Sequence, residues 1–178
     1  SDIKPANLLL DGQWRLRLGD LGLLKEKSTR AAVRRRGTPE YSAPELARVM
    51  PFDVPMDIWS LGIALCQILN GDLDWLRESQ HPNTQQRYDD TEAAIEKIQR
   101  NGEIEIRSLN FPVSHNLRDI ITNKMVVVDV ASRATASQLL TDTKISKFFG
   151  HCDLARVHLA IAAPRETPGW RRRRGGCG

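Results

Sequence analysis

Near the start of the chain, Asp2-Ile-Lys-Pro-Ala-Asn7 puts an acid, a cation and an amide at i, i+2 and i+5. Groups at that spacing cannot share one helical face, and Pro5 fixes its own φ and disfavours helix at Lys4. A shaped loop must aim these side chains, as a loop holding reactive groups would. A further carboxylate, Asp20, stands in Gly19-Asp-Leu-Gly22, where the glycines allow sharp turns. If the chain between them folds back on itself, Asp2, Asn7 and Asp20 converge. Each stretch by itself also fits a plain solvated turn, so the surrounding elements carry the decision.

Leu8-Leu9-Leu10, then Asp11-Gly12, then Trp14-Arg-Leu-Arg-Leu18 predict a β-hairpin, which would set the distance between those two loops. Leu23 to Arg36 is polar and basic, with Lys25, Lys27, Arg30 and Arg34-Arg35-Arg36, and reads as a mobile loop. Gly37 to Glu45 holds two prolines and a glycine, a rigid connector leading into a short helix over 46–49. Met56 to Asn70 is apolar on nearly every side, with Gly71 as its stop, and predicts a central buried helix. Asp57 near its start is then expected to hold a neighbouring loop, because an unpaired charge there would be costly; an exposed first-turn Asp favoured by the helix dipole is the alternative.

Residues 72–90 read as an irregular surface segment. Thr91 to Arg100 is an amphipathic helix with Thr91 near its cap. Further helices are expected over about 116–126, from Arg133 through Leu140, and near 145–149. Beyond the first hairpin the chain is therefore mainly α. Residues 150–178 lose this order and read as a disordered basic tail.

Composition is that of a globular domain, with 40% apolar and 27% charged residues in 178. Residues 165–178 hold five arginines against one glutamate and so carry the entire net charge of +4. Residues 1–164 are neutral, which argues against a nucleic-acid-binding domain and leaves that role, at most, to the tail. Cys66, Cys152 and Cys177 lie far apart, without the spacing of a zinc site or a disulfide framework, and a reducing, intracellular setting fits them. No apolar run reaches the length needed to span a bilayer.

Taken in order, these pieces resemble the C-terminal lobe of a eukaryotic serine/threonine protein kinase over residues 1–149. Asp2-Ile-Lys-Pro-Ala-Asn7 resembles the catalytic loop, Asp20-Leu-Gly22 the D-F-G element with Leu for Phe, and Ala43-Pro-Glu45 the A-P-E element. Asp57-Ile-Trp-Ser-Leu-Gly62 is similar to the central-helix signature, and Arg133 falls where an arginine pairs with the A-P-E glutamate, here Glu45. Leu18–Leu23 and the catalytic loop also look like those of the NIMA-related kinases, although the same words occur elsewhere in the superfamily.

The resemblance implies transfer of the ATP γ-phosphate to a serine or threonine of a protein substrate. Asp2 would orient the substrate hydroxyl and accept its proton, Lys4 would stabilise the transferring phosphate, and Asn7 and Asp20 would hold Mg2+. The serine/threonine branch is indicated by Lys4 and by Gly37-Thr-Pro-Glu-Tyr41, with Thr38 contacting Asp2 and Lys4 at the substrate site. The N-terminal lobe, with its glycine-rich loop, ATP-anchoring lysine and glutamate partner, is absent, so the chain is expected to be a fragment inactive by itself. The alternative is a pseudokinase or truncated scaffold using residues 72–100 as a partner surface. Ser1 stands where many members carry the arginine of H-R-D, and Arg34 about where the activation-loop phosphate is found. The two changes together imply that phosphorylation at that place is not required, while Ser28 and Thr29 remain candidate acceptors.

Overall fold

The computed structural model describes residues 2–13, 15–23, 37–48, 54–71, 81–101, 104 and 114–145. Among them the architecture is mainly α with one two-stranded sheet, as the pattern predicted. Strands β1 (Leu8–Leu10) and β2 (Leu16–Leu18) pair antiparallel in the register Leu8↔Leu18, Leu9↔Arg17, Leu10↔Leu16. Their connection is longer than an Asp11-Gly12 turn. Asp11 closes it, its N–H donating to the Arg15 carbonyl while its carboxylate accepts from Gln13 N, Arg15 N and Nε, and Arg17 Nε. Trp14 lies outside the described residues.

Helix α1 spans Pro44–Ala47, slightly earlier than the expected 46–49, because Pro44 occupies the first turn, where its missing N–H costs nothing. Helix α2 (Pro55–Asn70) matches expectation and ends on Gly71 at φ 78. It is the centre of the core, with Trp59, Ile63 and Cys66 almost fully buried. It is not buried all round, since Ile68 is 52% exposed.

Helix α3 spans Thr84–Asn101 and corrects the reading of 72–90 as irregular from residue 84 onward; 81–83 are irregular as expected, and residues 72–80 lie outside the described residues. Its first turns lack an apolar stripe. They are held by Asn83, whose Oδ1 accepts from Gln85 N at 2.8 Å, and by side-chain pairs one turn apart, Gln85 to Asp89 and Gln86 to Asp90. Thr91 is therefore no cap but a buried interior residue whose hydroxyl donates to the Arg87 carbonyl.

Helix α4 (His115–Ile120) is capped by Ser114 and runs into a π turn over Ile121–Met125, where one continuous helix was expected. The wider turn brings Met125, and Val126 directly after it, against α2 at Gly62. Helix α5 (Ala136–Leu140) begins three residues later than predicted, behind a Thr135–Gln138 capping box, because Arg133 is drawn inward. Residues 143–145 are helical, but the rest of the expected last helix and the 150–178 tail lie outside the described residues. Among the described residues no helix is long and apolar enough to cross a membrane.

Candidate catalytic site

Lys4 is extended (φ −156, ψ 161), as a residue before proline prefers, and Pro5–Asn7 then form a single 3-10 turn closed by Asn7 N donating to the Lys4 carbonyl at 2.9 Å. The loop thus contains one tight helical turn rather than irregular chain throughout. Ile3 is buried and anchors the segment between its two charged neighbours.

Asp2 and Lys4 meet each other and Thr38. Lys4 Nζ lies 2.8 Å from Asp2 Oδ2 and donates to Thr38 Oγ1 at 2.7 Å, while Thr38 N donates to Asp2 Oδ1 at 2.8 Å. Burial would raise the Asp2 pKa, but hydrogen bonds from Lys4 and Thr38 outweigh it and hold the carboxyl below its ordinary 3.8. Asp2 is therefore a charged acceptor and a weak base. Gly37 at φ 81 turns the chain into Thr38, a conformation that favours glycine.

Asn7 Nδ2 donates to the Asp2 carbonyl at 2.7 Å, which leaves the amide oxygen as the group for a cation. Gly19 N donates to the Asn7 carbonyl at 2.8 Å and so ties the end of β2 to the start of β1, one residue before Asp20. A Cβ at Gly19 would stand 3.1 Å from Leu9 Cδ1, so glycine serves close approach there. The left-handed backbone falls on Asp20 itself (φ 47) rather than on Gly19 or Gly22, which corrects the sequence reading. A short polar side chain tolerates that region, and the Asp20 carboxylate is exposed. An amide oxygen and a carboxylate are the hard donors that Mg2+ takes. Among the described residues no group of three or more His, Cys, Asp and Glu could hold a metal.

Glu45 and Arg133 meet in the core as a bidentate pair, Nη1 to Oε1 at 2.7 Å and Nη2 to Oε2 at 3.0 Å, with 2% and 0% of their side chains exposed. Arg133 also donates to the carbonyls of Val127 and Pro55 and lies 5.2 Å from the Trp59 ring centroid. Asp57 sits half-buried in the first turn of α2, its N–H donating to the Val54 carbonyl. Ser1, Ser28, Thr29 and Arg34 lie outside the described residues.

Three residues that sequence reasoning passed over hold the Thr38–Tyr41 segment. Ser60 Oγ donates to the Tyr41 carbonyl at 2.8 Å, Tyr41 Oη donates to Gln67 Oε1, and Arg87 forks onto Glu40. Ser60 lay inside a recognised motif and could have been found. A lone arginine in a polar run carries no such signal.

Residues 1–144 match the family model described as the protein kinase domain. The chain is 32% identical over 148 residues to serine/threonine-protein kinase shk2 of Schizosaccharomyces pombe, covering 82% of this chain and 23% of that protein. It is 29% identical over 160 residues to serine/threonine-protein kinase nekl-2 of Caenorhabditis elegans, covering 88% and 41%. It is 31% identical over 148 residues to serine/threonine-protein kinase PAK 4 of Homo sapiens, covering 82% and 23%. The chain thus spans between about a quarter and two fifths of the length of these relatives.

Proposed function

We propose, from the premise that the chain belongs to the protein kinase domain family, that it is the metal- and substrate-binding lobe of a serine/threonine kinase that transfers the ATP γ-phosphate to protein hydroxyls. The observation that carries this reading is the closed cluster of Asp2, Lys4 and Thr38, in which a carboxylate and an ammonium from one loop meet the backbone and hydroxyl of a threonine 36 residues after the acid. Phosphoryl transfer asks a protein for positioning and charge compensation more than for covalent help, and a fixed acid–cation pair supplies both. Asp2, held ionised, orients the substrate hydroxyl and accepts its proton only as the oxygen–phosphorus bond forms. Lys4 offsets charge on the transferring phosphoryl group, and Thr38 holds the pair at the substrate face. Asn7 and Asp20 are assigned as Mg2+ donors, Mg2+ supplying neutralisation of the ATP phosphates. Asp57 is assigned the holding of a neighbouring loop, and Glu45 with Arg133 the tie between the substrate segment and the core.

Asp20→Asn in the full-length protein tests the assignment. Its carboxylate is exposed, so folding should survive while phosphate transfer to a serine/threonine peptide is abolished. Ordinary activity in that variant would sink the metal assignment.

A second reading, a kinase-like binding module, draws on the exposed leucines of the hairpin, Leu9, Leu10, Leu16 and Leu18, which are 44–61% accessible. It requires that the unsubstituted full-length protein transfer no phosphate.

A further inference from the structure

One bidentate ion pair has no part in the assignments above. Arg87 Nε donates to Glu40 Oε1 at 2.6 Å and Nη2 to Oε2 at 2.7 Å, joining elements 47 residues apart. Glu40 is the middle residue of the Pro39–Tyr41 turn, two residues after Thr38. Its side chain is 5% exposed and lines a small pocket with Trp59, Thr91 and Ile95. A carboxylate among such neighbours must be compensated or must leave for water. Arg87, on α3, supplies a bidentate partner, and its planar fork matches both carboxylate oxygens as a lysine cannot.

The attachments of this segment fall in sequence. Asp2 and Lys4 hold Thr38, Arg87 holds Glu40, and Ser60 and Gln67 on α2 hold Tyr41. Tyr41 N also donates to the Thr38 carbonyl at 3.1 Å, so the turn moves as one unit. If Glu40 is released to seek water, the turn rotates and carries Thr38 with it. We propose that Arg87 is a positioning residue, whose fork on Glu40 sets the turn that holds Thr38 against Asp2 and Lys4. The catalytic meaning of this inference rests on the kinase reading above, whereas the link between Arg87 and Thr38 does not.

The test uses the full-length protein with Arg87→Ala, Arg87→Lys, and the double variant Glu40→Gln with Arg87→Ala. Residue-resolved amide hydrogen exchange is followed at Thr38, Tyr41 and, as a core reference, Ile63. Peptide phosphorylation is measured beside it. Arg87→Ala is expected to speed exchange at Thr38 and Tyr41 about ten-fold or more while Ile63 is unmoved. It should lower kcat for the peptide by about ten-fold with KM for ATP unchanged. Arg87→Lys should recover only part of both effects. Exchange at Thr38 that stays constant, or rises only in step with Ile63, overturns the proposal.

Should Arg87→Ala fail to fold, the double variant, which carries no ionisable group at either position, makes the same comparison with the same expected result. If the unsubstituted protein transfers no phosphate while the exchange effect is present, the kinase reading falls and the positioning link stands.

Discussion

Arg133 has a side chain with no exposed surface, committed to Glu45, the backbone carbonyls of Val127, Val128 and Pro55, and the face of Trp59. Removing it takes the bidentate partner from a buried carboxyl, Glu45, so Arg133→Ala should cost about 3–5 kcal/mol, read as a drop in the urea midpoint. A loss under about 1 kcal/mol would mean that the pair is compensated elsewhere. Cys66 makes the opposite point, that a chemically capable residue can be disarmed by its place. Burial pushes its thiol up to about 12, far from the thiolate needed for attack. Iodoacetamide at pH 8 should therefore leave Cys66 unlabelled in the native protein and label it after denaturation, as read by peptide mass; rapid native labelling would contradict the packing described. Both residues were visible in the sequence, but only position along a set of ordered motifs pointed to the partner of Arg133, and nothing local pointed to that of Arg87.

At the scale of elements, α2 and the π turn approach so closely that the backbone itself sets the distance. A Cβ on Gly62 would lie 2.7 Å from Val126 Cγ2 and 3.0 Å from Met125 Cβ, contacts that demand a shift of one element or the other. Gly62→Ala should accordingly destabilise the fold by about 1–3 kcal/mol, although alanine is the better helix former. A variant as stable as the parent in thermal denaturation would show that the π turn yields at no cost. Helix α2 was legible because sixteen residues carry a sustained apolar pattern between Pro55 and Gly71. The start of α3 was not, because its first turns are held by polar side chains and by the buried Tyr88, features without period. Helix α5 was placed too early because Arg133 looked like a helix residue and is instead pulled into the core.

Across the whole molecule, five carboxylates among the described residues are held below their ordinary 3.8: Asp2, where burial is outweighed by Lys4 and Thr38, and Asp11, Asp119, Asp129 and Asp142, through hydrogen bonds led by the Arg15 N–H, Lys144, Ser132 and Lys124 respectively. A carboxyl whose folded pKa is depressed adds stability that is present above its unfolded pKa and is lost as pH falls through the folded value. The melting temperature should therefore be steady from neutral pH to about 5 and fall progressively below that. A melting temperature that rose on acidification would reverse the sign of this account. The ions concerned tie the Asp2 loop to Thr38 and the α4–π segment to residues 142–145, so loosening should begin at those seams.

The sequence by itself determined the class of fold, the central helix, the hairpin and the identity of the acid, cation and amide, because apolar period, proline and glycine punctuation and ordered motifs are local properties of a chain. Which residues meet was decided only by tertiary structure. Asp2 and Lys4 acquire Thr38 across 34 or more residues, Glu45 acquires Arg133 across 88, and Glu40 acquires Arg87 across 47. Such pairs are selected by desolvation, since a buried charge must find its counterpart wherever the packed helices bring one, and no spacing in the chain encodes that distance. The turn at Asp20 was likewise decided only in the folded chain, where the left-handed backbone falls on the carboxylate residue itself rather than on the glycines at either side.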